Sequence, residues 1–151
     1  DRQSYAYFSD TYRDEIMRLY KYSDSPDINN LSDIFYRDLT LAIGRGSYYG
    51  AAFAQFKQNH PAHVIMMPTA DKRFAMLSKN RVDYAIEDEV AAQYFINQHP
   101  SVKPVPNMAA INKSSIHLML SKKTINQVEL QTINELIKQN KSNIHAIYQR
   151  L

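Results

Sequence analysis

The chain has 151 residues, enough for one domain or two small lobes, and its 44% hydrophobic and 22% charged residues are an ordinary globular balance. Cysteine is absent, which excludes disulfides, thiolate metal sites and cysteine nucleophiles. The net charge is +3 with Lys and Arg scattered, so there is no basic stripe for nucleic acid, and no apolar run reaches the roughly 18 residues of a membrane span. With neither an initiator Met nor a signal segment, the sequence reads as a processed or excised piece, and export stays open.

Residues 12–22 mix apolar and charged side chains and alternate from Met17, as a strand does, until Ser23-Asp24-Ser25-Pro26-Asp27 turns the chain. Leu31–Phe35 reads as a short helical turn, and Leu39–Ile43 as a buried parallel strand ending at Gly44. Tyr49, Ala52, Phe53 and Phe56 recur at helical spacing from Tyr48 to about Asn59. His63–Met67 is a short strand, Phe74, Met76 and Leu77 mark a helix ending near Asn80, and Val82–Ile86 is another strand. Val90, Ala91, Tyr94 and Phe95 place a helix after it, and Val102–Val105 is a short segment boxed by prolines. Ile116–Leu120 is the last expected strand, followed by one helix over Val128–Ile137 and a separate final helix with Ile144, Ile147, Tyr148 and Leu151. Strands and helices alternating over short connections predict an α/β domain with a mostly parallel sheet and helices on both faces.

Two segments invite chemistry. In Gly44-Arg45-Gly46-Ser47-Tyr48-Tyr49-Gly50 the first two glycines can take positive φ, and Ser47 suits a helix N-cap whose free N–H groups attract an anion. The spacing misses the dinucleotide fingerprint and lacks a phosphate-loop lysine, and a plain strand-to-helix turn fits it equally well. Ile86-Glu87-Asp88-Glu89 follows a strand, where open α/β sheets bind ligands, yet Asp88 also suits the N-cap of the next helix. The five histidines show no ligand spacing, and no Gly-x-Ser-x-Gly elbow occurs, so no metal site, cofactor or catalytic residue is expected.

Three segments carry a family resemblance. Arg2, six positions before Phe8-Ser9-Asp10, is similar to the arginine ahead of an "FS-PY" stretch; Gly46-Ser47-Tyr48 resembles a Gly-Ser/Thr segment; and Arg81-Val82-Asp83-Tyr84-Ala85-Ile86-Glu87-Asp88 resembles "R-x-D-A-x-x-x-D". Together they resemble bacterial periplasmic solute-binding proteins of the amino-acid family (family 3), and Glu129-Leu130-Gln131-Thr132-Ile133-Asn134 resembles that family's C-terminal helix. Asn80 stands where the family has glycine, and Tyr84 adds bulk beside its small residue.

The resemblance implies a type II periplasmic-binding fold with the N-terminal part of lobe 1 missing. Residues 1–21 would be a remnant of lobe 1 and the first hinge strand, 22–108 lobe 2, and 109–151 the second hinge and helices returning to lobe 1. It further implies that Arg2 grips a ligand α-carboxylate, that Gly46, Ser47 and Tyr48 face that carboxylate, and that Asp88 binds the ammonium. Glu87, if it faces the cleft, would favour a basic or hydrogen-bonding side chain. The implied function is hinge-closure capture of a polar amino acid for the permease of an ABC importer. The location would be periplasmic, or lipid-anchored on the outer face of the inner membrane. A ligand-sensing domain of a sensor kinase and a dehydratase-like enzyme are the alternatives, as is an interaction domain if the resemblance is set aside.

Overall fold

Side-chain alternation along the central strands decides the architecture. The computed structural model describes residues 1–148 and 150. Its strands are β1 (Ala6–Phe8), β2 (Arg13–Tyr22), β3 (Leu41–Gly44), β4 (Val64–Met67), β5 (Tyr84–Asp88), β6 (Val102–Pro104), β7 (Asn112–Ile116) and β8 (Met119–Ser121). Its helices are α1 (Ser32–Tyr36), α2 (Ala51–Asn59), α3 (Ala70–Ser78), α4 (Glu89–Gln98) and α5 (Gln127–Tyr148). The main sheet runs β4-β3-β5-β2-β6, with β7 also pairing β2.

Leu41, Ile43, Tyr84, Ile86 and Leu19 face one side of the sheet, where Ile34 of α1 and Phe53 and Phe56 of α2 cover them. Ala42, Ala85 and Tyr20, one residue out of phase, face the other side and meet Phe74 and Leu77 of α3 and Ala92 of α4. Helices thus cover both faces, as expected for this α/β class. β3 is parallel to β4 and β5, whereas β2 is antiparallel to β5 and β6. The apolar alternation of β2 has the same period in either direction, so its pattern in the sequence carries no orientation.

The chain divides into a larger compact unit, residues 16–113, and a smaller one made of residues 1–15 with 114 onward. In the smaller unit β1 pairs antiparallel with β8, with Tyr7 opposite Leu120. Helix α5 starts at a reciprocal cap: Asn126 Oδ1 accepts from the N–H groups of Val128 and Glu129, and Glu129 Oε2 accepts from Asn126 N–H at 2.8 Å. Ile137 is buried, while Val128, Leu136 and Ile147 stay exposed.

Two expectations fail here, and one strand goes unread. Strand β1 is missing from the sequence reading because three residues are too few to display a period. The expected strand 116–120 is two strands: His117 and Leu118 leave the ladder, His117 Nδ1 lies 2.7 Å from Ser9 O, and Leu118 N–H donates to Ser9 Oγ. Nor are there two terminal helices, because the polar run Asn140-Lys141-Ser142-Asn143 contains no proline or glycine and continues helical within α5. Of the residues assigned to the final helix, Leu151 lies outside the described ones.

Two buried tyrosines, Tyr20 and Tyr84, have their hydroxyl pKa pushed up first by burial and make stability depend on alkaline pH, and Tyr84 is the one with a defined partner. The Tyr84 hydroxyl donates to Pro26 O at 2.5 Å, and burial, reinforced by the negative charge of Asp83, pushes its pKa from the usual 10 up to about 12. Below pH 10 the phenol is protonated in both folded and unfolded chains, so its contribution is complete. As pH rises through 10 towards about 12 the unfolded chain ionises first, and that stability is lost. Urea unfolding between pH 9 and 12 is expected to show this fall, and Tyr84→Phe should be less stable at neutral pH but flatter across the window. An equally steep fall in the variant would mean that other groups are responsible.

Candidate ligand-binding site

Parallel strands β3 and β5 end side by side. Their register, Leu41 opposite Tyr84 and Ala42 opposite Ala85, when carried on brings Gly44 level with Glu87 at the carboxyl edge of the sheet. Gly44 does not take positive φ; what it supplies is space. A Cβ there would lie 2.5 Å from Ser47 Oγ, 3.0 Å from Tyr49 Oη and 3.1 Å from Arg73 Nη1. Three polar side chains therefore close around the end of β3. Tyr49 is buried, and its Oη accepts from Gly44 N–H at 2.9 Å.

The turn after Gly44 departs from expectation. Helix α2 begins at Ala51 rather than Tyr48, and its N-cap is Gly50, so Ser47 caps nothing. Gly50 sits at φ 91° and ψ 164°, a backbone conformation that breaks the helical path before Ala51, and a Cβ on it would lie 2.9 Å from Asn112 Oδ1. Gly46 does take positive φ, at 76°. Gly46, Ser47 and Tyr48 are left exposed, Tyr48 at 69%, beside a groove of about 370 Å³ walled by Phe53, Ala54 and Lys57. Glu87 and Asp88 do not line that groove.

Asp88 is 4% exposed and does cap α4, its Oδ1 accepting from Val90 and Ala91 N–H while Oδ2 accepts from Ile16 N–H at 3.2 Å. Glu87 is not an open carboxylate: its Oε2 pairs with Arg73 Nη2 and its Oε1 accepts from Asp88 N–H at 3.1 Å. Arg2 belongs to the smaller unit, exposed in a short 3-10 turn, Arg2–Ser4, capped by Asp1. The larger unit thus brings Gly46, Ser47 and Tyr48 into one turn and sets Glu87 and Asp88 at the end of the adjacent strand.

The sequence reading missed Arg73 as part of this edge, whereas Tyr49 lies in the Gly44–Gly50 segment it singled out. Arg73 stands four residues before Leu77, on the same stripe of α3 as a core residue, and an arginine on an apolar stripe is a signal of a buried ion pair. Among the described residues, no group of three or more His, Asp or Glu side chains could hold a metal ion, and no helix is long and apolar enough to cross a membrane.

No protein-family model matches the sequence, and no curated protein sequence does. Solved structures do. An ancestral arginine-binding protein bound to arginine superposes with a TM-score of 0.75 at 20% identity, over 99% of this chain and 65% of the other. The chain has the periplasmic-binding-protein-like fold. With that fold come the substrate-binding protein of an amino acid ABC transporter, TM-score 0.69 and 22% identity over 99% of this chain and 62% of the other. A histidine kinase sensor domain with similarity to periplasmic binding proteins follows at 0.70 and 18%, over 96% and 63%. This periplasmic-binding-protein-like chain therefore spans less than two thirds of each of these neighbours.

Proposed function

We propose that the chain is the greater part of an extracytoplasmic solute-binding protein that captures a polar amino acid and presents it to an ABC importer. The observation that carries this reading is Asp88 at the carboxyl end of β5, one strand over from the Gly44–Gly50 turn, in a fold whose neighbours include proteins described as binding arginine. In this reading Asp88 takes the ligand ammonium and Ser47 with the backbone of Gly46 and Tyr48 takes the carboxylate, while Arg2, in the smaller unit, is assigned to carboxylate binding by the family resemblance alone. Each ligand end then has a charge-assisted partner, and removal of water on lobe closure strengthens both pairs. The protein is assigned to the periplasm or a lipid anchor outside the inner membrane. Neighbouring function as a kinase sensor domain favours a second reading, in which the same capture drives signalling.

The test is a thermal-unfolding screen of the full-length protein against the common amino acids. A ligand at about a hundred times its Kd adds roughly 2.7 kcal/mol, or about 5–10 °C in Tm. One amino acid or a small group should give that shift. A flat screen would overturn the reading.

A further inference from the structure

We infer that Arg73 sets the side-chain selectivity of this site by holding Glu87, so that it takes an amino acid with a neutral or anionic side chain and rejects a cationic one. The inference rests on the amino-acid reading above.

A carboxylate whose charge is already answered by a guanidinium inside the protein offers little net attraction to a ligand guanidinium or ammonium. Here Glu87, next to Asp88 in sequence, has one oxygen paired with Arg73 Nη2 while the other accepts from Asp88 N–H. The pair is enclosed, with side chains 8% exposed for Arg73 and 12% for Glu87, so water does not loosen it. The guanidinium has donor capacity left over. Its Nε is buried without a hydrogen-bond partner among the described residues, and its Nη1 reaches the end of β3, where Ser47 Oγ also lies. Arg45 is exposed within the turn itself, and Lys57 walls the adjoining groove. What the edge offers a ligand side chain is therefore positive charge and hydrogen-bond donors, with the charge of Glu87 already paired to Arg73. A cationic side chain would meet like charge there, with the charge of Glu87 already answered by Arg73.

Arg73 acts through Glu87 and is a positioning residue, which makes the reversal testable. Calorimetric titration of the full-length protein with glutamine, glutamate, arginine and lysine gives the ratio of affinities. The unaltered protein should favour glutamine or glutamate by about tenfold or more over arginine and lysine. Arg73→Met keeps an unbranched apolar stem and releases the Glu87 carboxylate, so the ratio should move towards arginine and lysine by on the order of tenfold. Adding Glu87→Gln to that variant removes the released charge and should cancel the gain. Should Arg73→Met fail to fold, Arg73→Gln, which keeps a donor to Glu87 without the charge, is read the same way. Preference of the unaltered protein for arginine or lysine overturns the inference whatever the variants do. An unchanged ratio in the Arg73 variant also overturns it and leaves the amino-acid reading standing. Absence of binding to any amino acid refutes both together.

Discussion

Asp88→Ala is expected to lose amino-acid binding by several kcal/mol and to destabilise the fold at the same time, because one carboxylate serves both. Its oxygens accept from the N–H groups of Val90 and Ala91 at the start of α4 and from Ile16 N–H in β2. Loss of a cap alone costs about 1–2 kcal/mol, and these groups lie at a buried position where water is a poor substitute. Asp88→Asn separates the roles. The amide oxygen can keep the cap on Val90 and Ala91 N–H, but the NH2 then faces Ile16 N–H, donor against donor, so urea unfolding should show the cap retained and a loss of about 1–3 kcal/mol at Ile16. An amide carries no charge to match an ammonium, so affinity should still fall by about 2 kcal/mol or more. If Asp88→Asn binds as tightly as the unaltered protein, Asp88 is a helix cap and nothing else.

Phe74→Ala should give a loss of stability of about 3–5 kcal/mol, the largest expected from any single truncation on the α3 face. The ring has no exposed surface, stacks on Phe95 with centroids 4.7 Å apart and tilts against Tyr20 at 5.8 Å. Its neighbours cannot close the gap cheaply. Beneath it the sheet offers Ala42 and Ala85, whose methyl groups are too short to fill a cavity of that size, and Leu77 is already packed a turn further along α3. Urea unfolding monitored by circular dichroism reads the difference. A loss below about 1 kcal/mol would mean that α3 is loosely docked, and the placement of Arg73 on the same helix would fall with it.

What could be read from the sequence follows from what each residue had to do locally. Leu39–Ile43 ending in a glycine and the Phe53/Phe56 spacing announce a strand and a helix because burial there repeats with the element's own period. The segment around Asp88 was equally readable as a cap or a ligand group, and the fold gives it the cap while its ligand role remains the proposal made above. Strand direction in β2, the late start of α2 and the division of 116–120 all depend on partners far along the chain: β5 and β6, Asn112, and Ser9. No local pattern holds that information. Glu87 is the instructive case. Its sequence neighbours suggest an acid open to a basic ligand, and only the return of α3 over the sheet reveals Arg73 against it.

The most direct test of the account is calorimetric titration of the full-length protein with the amino acid that raises Tm most, alongside analogues lacking only its amino group or only its carboxylate. Recognition of both ends predicts one-to-one binding of the amino acid and a loss of about a hundredfold or more for each analogue. Equal affinity for the amine-free analogue would contradict the account, because Asp88 would then have no ammonium to hold.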